Sequence, residues 1–150
     1  MRLMHALVET EVARPGMSVG EALRICVRFG LPGIPFLDEN GRIGGRFSVR
    51  HVFLVHSIPS DMIKGAHLIG HDARHLEHPD RHYIELFQRT IDDLILPEIA
   101  SLASDAQVTK AMALMEKLNS SYLFIVDQGR YRGVVTRLGL TRALLEHYGS

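Results

Sequence analysis

The chain has 150 residues, 46% of them hydrophobic and 23% charged, with no Trp; it can bury a sizeable apolar interior and belongs with soluble globular proteins. Seventeen basic residues balance seventeen acidic ones, so no broad positive field exists to hold a phosphate backbone, and no nucleic-acid partner is expected. The apolar runs fall far short of the roughly 20 residues a membrane span needs, no signal-peptide core opens the sequence, and one cysteine can form no internal disulfide, so no membrane association and a cytoplasmic location are expected.

In chain order, a short strand is expected near Glu11 to Ala13, followed by a loop with Pro15-Gly16. Val19, Ala22, Leu23 and Cys26 then recur at i, i+3, i+4 and i+7, the spacing of one helical face, with Ser18 suited to the N-cap and Gly30 to the stop. That stripe makes Cys26 a core residue. The run Ile34-Pro35-Phe36-Leu37-Asp38 is too short for a helix and suits a buried strand. Asp38-Glu39-Asn40-Gly41 supplies a hairpin turn, a return strand runs through Gly45 to Ser48, and a second helix spans Val49 to about Val55.

From His56 to Pro97 the chain matches neither flank and forms a connection. Pro79 fits the first turn of a helix, Asp80 follows where acids are favoured, and Tyr83, Leu86, Phe87 and Ile91 form a stripe, so a helix is expected over 79–95 with Asp92-Asp93 on its exposed face. His67, His71, His75, His78 and His82 crowd this stretch. On one unbroken helix the last four would share a face and could ligate zinc or nickel, but Pro79 interrupts such a helix, and no metal site is assigned.

The remaining residues repeat the first pattern. A strand is expected near Ala100 to Leu102 and a loop at Ser104-Asp105, and the stripe Val108, Ala111, Met112 and Met115 lies 89 positions beyond its counterpart. Leu123-Phe124-Ile125-Val126-Asp127 keeps that offset, and Asp127-Gln128-Gly129 makes a turn one residue shorter. Gly133 and Thr136 then align with Gly45 and Ser48 at an offset of 88, and a last helix covers Leu138 to about His147. The gap thus falls in a hairpin turn, where deletions are tolerated. A hairpin flanked by helices cannot bury its own faces, so two copies should pack sheet to sheet. The expected fold is α+β: two βαββα repeats related by a pseudo-twofold axis, with a first unit at 1–57, a connecting segment with a helix at 58–97, and a second unit at 98–150.

No Gly-x-Ser-x-Gly or His-Glu-x-x-His is present, Cys26 is assigned to the core, and the glycines mark turns and not a phosphate loop. No catalytic residue is assigned and an enzyme is not expected.

A helix, an apolar strand ending in Asp, a glycine turn and a return strand reading Gly-x-x-[Ser/Thr] before another helix, occurring twice, resembles a tandem CBS-domain pair, or Bateman module. The resemblance covers nearly the whole chain except the middle of the connection. It implies a stand-alone regulatory module that dimerises, binds an adenosine-containing ligand (AMP, ADP, ATP or S-adenosylmethionine) between the repeats, and signals to an unidentified regulated protein, with no cofactor required. Adenine would lie against Gly33-Ile34-Pro35 in one site and Tyr122-Leu123-Phe124 in the other, and Ser48 or Thr136 would meet phosphate or ribose. Three residues further on, the family often has an Asp that accepts both ribose hydroxyls. Here those positions hold His51 and Gly139: a neutral imidazole accepts one hydrogen bond and glycine none. Arg46, Arg50 and His51 in the first copy and Arg137 in the second are candidate phosphate contacts, though solvated arginines are an equal reading. The alternative is a dimerising scaffold or interaction module without ligand.

Overall fold

The computed structural model describes residues 1–56, 65 and 79–149. Of the histidine cluster, His67, His71, His75 and His78 lie outside these residues; His82 packs its ring on Tyr83. No described helix is long and apolar enough to cross a membrane, and among the described residues no group of three His, Cys, Asp or Glu could hold a metal ion.

The first lobe is built from helix α1 (Val19–Phe29), strands β1 (Gly33–Leu37) and β2 (Ile43–Ser48), and helix α2 (Val49–His56). Ser18 Oγ accepts the Glu21 amide at 3.1 Å and Gly30 ends α1 at φ 66°, so both ends follow from residue chemistry. Helix α3 (Pro79–Gln88) leads to the second lobe: strand β3 (Ser101–Leu102), helix α4 (Val108–Leu118), strands β4 (Tyr122–Asp127) and β5 (Arg130–Thr136), and helix α5 (Arg137–Tyr148). β1 and β2 pair antiparallel; the second sheet runs β3-β4-β5, with β3 parallel to β4. The expected strand at Glu11 to Ala13 is a single parallel bridge, Ala13 to Phe36, made by bonds to the Pro35 carbonyl and the Leu37 amide.

The hairpins share an irregularity. Gly45 faces Phe36 while Ile43 faces Leu37, leaving Gly44 as the extra residue of a bulge; Gly133 faces Ile125 while Tyr131 faces Val126, leaving Arg132. The length difference is confined to the turns. In the longer one Asp38 Oδ1 accepts the Asn40 and Arg42 amides at 2.8 and 3.0 Å and Gly41 takes φ 76°; in the shorter one Gln128 and Gly129 both take positive φ, as a two-residue hairpin requires.

Helix α3 is shorter than the expected 79–95. The chain unwinds after Gln88 because its main chain turns to the start of α1: the Val19 amide donates to Arg89 O at 2.8 Å and the Ile91 amide to Met17 O at 3.0 Å. Asp92 and Asp93 are therefore in the turn beyond the helix. Asp92 accepts the Gly16 amide at 3.0 Å and Asp93 pairs with Arg89 at 2.9 Å.

The same contacts recur at the other end of the molecule with the lobes exchanged. The Val108 amide donates to Met1 O and the Leu3 amide to Ala106 O, so residues 1–8 pack with the second lobe while 89–96 pack with the first. Val8 and Val134 exchange two main-chain bonds of 2.9 Å; Leu96 and Arg46 exchange the equivalent pair at 2.8 and 2.9 Å. Each hairpin thus receives its outer edge from the segment that precedes the other repeat. This explains the aligned glycines: a Cβ on Gly133 would lie 2.6 Å from Val8 O, and one on Gly45 would collide with Leu96 O. One core gathers Val19, Ala22, Cys26, Ile34, Phe47 and Val52 with Leu86, Ile91 and Leu94; the other gathers Leu3 with Val108, Ala111, Met115, Leu123, Ile125, Val135 and Leu140.

Candidate functional site

Between the lobes opens a cleft of about 740 Å³, within the range that holds small ligands. The end of β2 and the start of α2 supply Arg46, Ser48, Arg50 and His51; opposite them stand Leu118 to Tyr122 and Phe124, and the stretch from Leu96 to Ala100 runs along the side.

Arg46 is fixed by its own backbone, which pairs with Leu96, and by its guanidinium, which donates to Tyr122 Oη at 2.9 Å and to the Glu98 carbonyl at 3.1 Å. Two of five guanidinium donors are used, so the group can still receive an anion. Burial pushes the Tyr122 phenol above its usual range, against the opposing pull of Arg46, so it remains neutral. Ser48 is buried, and its Oγ accepts the His51 amide at 3.3 Å, capping α2. The cap uses an acceptor lone pair and leaves the hydroxyl proton to donate to a ligand oxygen. The wall facing the cations ends α4: Asn119 caps that helix at φ 50°, and Ser120 Oγ donates to Tyr122 O at 2.8 Å.

Of the residues singled out in the sequence, Arg46, Ser48, Arg50, His51, Tyr122 and Phe124 therefore share one cleft. Gly33, Ile34 and Pro35 are buried along β1, Ile34 within the first core, and Leu123 is buried in the second. Thr136, Arg137 and Gly139 stand at the start of α5, apart from that lining. Thr136 Oγ1 accepts the Gly139 amide at 2.9 Å, and the Arg137 guanidinium bonds Ser120 O at 3.3 Å and approaches Glu116 at 3.8 Å. The sequence reading missed the side formed by Leu96, Glu98, Ile99 and Ala100. The offset of 88 that links Val8 to Leu96 was the available signal, but nothing in the side chains announced an edge strand given to the other lobe.

A second depression, about 510 Å³, is lined by Glu9, Thr10 and the β4–β5 hairpin residues Asp127 to Arg132. Its groups largely satisfy each other: Thr10 bonds Tyr131, and Asp127 holds Ser104 and Arg132. The larger cleft, with free donors and contributions from both repeats, is the better candidate.

Residues 91–146 match the family model described as the CBS domain. Among solved structures, the chain is similar to the CBS domain of a CBS domain containing membrane protein from Sphaerobacter thermophilus, with 19% identity, 97% of this chain and 88% of that chain covered, and a TM-score of 0.69. A CBS domain-containing protein of unknown function from Kribbella flavida gives 20%, 97%, 99% and 0.69. CBSX2, solved in complex with AMP, gives 19%, 98%, 98% and 0.68. At these identities the likeness is one of fold. No curated protein sequence matches.

Proposed function

We propose that this CBS-domain protein, which carries the family's sequence signature over residues 91–146 and its fold over nearly the whole chain, is a regulatory module that binds an adenine nucleotide in the cleft between its lobes. The observation that carries this reading is the polarity of the cleft. Arg46 and Arg50 offer cationic donors and Ser48 a hydroxyl on one rim, with His51 beside them, and Leu118, Tyr122, Phe124 and Ile99 offer an apolar wall for a base. A nucleotide has the same two-sided character. The complex of the similarly folded CBSX2 with AMP supports the class of ligand. Because both lobes line the cleft, a ligand bound more tightly in one relative arrangement shifts the population toward it, which a regulated partner protein can read.

A scaffold without ligand is favoured by one specific feature, the absence of a carboxylate at His51 and Gly139. Self-association is common to both readings: Leu138 and Leu145, seven residues apart on α5, are 79% and 64% exposed and form an apolar stripe that a second copy of the chain can cover. A homodimer in a cytoplasmic setting belongs to this proposal.

Calorimetric titration of the purified chain with AMP, ADP, ATP and S-adenosylmethionine tests the reading. Saturable binding of at least one supports it; no binding at millimolar concentration leaves the scaffold. Sedimentation at micromolar concentration should return twice the chain mass.

A further inference from the structure

The repeat relation assigns every cleft residue a counterpart, so a second cleft related by the pseudo-twofold axis should lie on the other side of the lobe interface. It does not have the same character. Ser120, Arg46 and Leu118 of the open cleft correspond to Leu31, Val134 and Phe29, offset by 89, 88 and 89. Those counterparts are all apolar. They pack with Phe124 and Tyr122 into a third apolar cluster, in which Leu31 is 8% and Val134 0% exposed. The charges differ as sharply. Arg50 and His51 correspond to Leu138 and Gly139, and Ile99 corresponds to Glu11, which is paired with Arg28 at 2.6 Å. Tyr122 corresponds to Gly33, and the tyrosine occupies the room the glycine leaves.

From this we infer that the two pseudo-equivalent clefts have parted: only the one formed by Ser48, Arg46, Arg50 and His51 takes a ligand, one per chain, and it holds that ligand chiefly by its phosphates. The inference rests on the proposed nucleotide cleft for the identity of the base, but not for the anion. Two arginines, Arg46 and Arg50, meet one acid, Glu98, among the cleft's lining. Arg46 is held in place before any ligand arrives, so it loses little freedom on binding a phosphate. Arg50 is exposed at the rim, where a terminal phosphate would reach it.

The test uses ATP, adenosine and inorganic tripolyphosphate as separate probes of the full chain and of Arg50→Leu, which installs the counterpart residue at a solvent-exposed position. ATP should bind once per chain, adenosine at least about tenfold more weakly, and Arg50→Leu should weaken ATP about tenfold while leaving adenosine unchanged, as loss of one charge-assisted contact predicts. Two ATP per chain, adenosine as tight as ATP, or an indifferent Arg50→Leu would each overturn the inference and leave the nucleotide reading intact. Tripolyphosphate bound once per chain and weakened by Arg50→Leu, with adenosine adding nothing to the affinity of ATP, would uphold the anion site and remove the adenine. If neither ATP nor tripolyphosphate binds, the inference is wrong.

Discussion

Gly33 and Tyr122 hold the same position in their two repeats and face one another across the interface, where a Cβ on Gly33 would collide with the Tyr122 hydroxyl and lie 2.8 Å from its Cζ. The backbone oxygen of Phe47 would stand 2.9 Å away on another side, so turning the tyrosine aside does not make room. Gly33→Ala should destabilise the chain by about 1–3 kcal/mol through overpacking. Urea denaturation measures it, and a wild-type midpoint would contradict the close approach.

Gly133→Ala should loosen the exchanged edge. Its Cβ would meet Val8 O at 2.6 Å, in the middle of the bonds that Val8 and Val134 exchange. A loss of about 1–3 kcal/mol is expected. Hydrogen exchange at the Val8 and Val134 amides should accelerate more than at Arg46 and Leu96, which form the opposite edge. Equal acceleration at both edges would mean a global effect.

His51→Asp should tighten AMP binding. Ser48 Oγ caps α2 through the His51 backbone amide alone, so the His51 side chain is replaceable, and an acid in the first turn of α2 suits the helix dipole. A carboxylate there can accept two ribose hydroxyls; a hydrogen bond to a charged group contributes about 1.5–3 kcal/mol, or roughly tenfold and more in affinity. Discrimination against 2′-deoxy-AMP should rise in parallel. The same change at Gly139, beside the filled cleft, should do neither.

Asp127 sets a pH dependence. Bonds from the Ser104 hydroxyl and amide, with Arg132 adding its charge, hold its carboxyl below the ordinary value of 3.8. Between the depressed native value and that ordinary one the unfolded chain binds more protons, so stability rises with pH through this window. The contribution is complete above the unfolded value and disappears as pH falls through the native one. The destabilisation caused by Asp127→Asn should therefore be full at pH 7 and shrink below about pH 4. Thermal unfolding of both proteins across this range measures it, and a gap of constant size would count against the assignment.

Cys26 should resist thiol reagents in the native state. It is 2% exposed, and burial pushes its thiol up to about 11, so little thiolate exists at pH 8. Labelling should follow unfolding, accelerating with urea. Rapid stoichiometric labelling without denaturant would place the thiol at the surface.

The parts of the fold legible in the sequence were those written in side-chain chemistry. The stripes of α1 and α4, the Ser18 cap, the Gly30 stop and the two turns each follow from residue types at fixed spacing. The one-residue gap could be placed because turns tolerate length changes and strands do not. The exchanged edges were illegible for a physical reason: Val8 with Val134 and Leu96 with Arg46 are joined through main-chain atoms, which every residue carries. The end of α3 was hidden likewise, since the groups that draw the chain away at Arg89 and Ile91 are the Val19 amide and the Met17 carbonyl at the start of α1. In the site, the first repeat's cations were visible as residues, but the filling of the opposite cleft required knowing that Leu31, Val134 and Phe124 meet.

The exchange of leading segments also fixes an order of events during synthesis. Val8 is made long before Val134, its partner, so the apolar residues Leu3 and Leu7 leave the ribosome more than a hundred positions ahead of the β4–β5 hairpin that will shelter them. The segment around Leu96 is in the opposite situation, because Arg46 and its hairpin already exist when it emerges. The first lobe can therefore close its edge while the second is still being translated, and the second cannot be finished until residues 1–8 are brought back to it. Contacts so distant in sequence make closure slow, and until it occurs the nascent chain carries an open strand edge and an uncovered apolar segment together, the combination a chaperone binds.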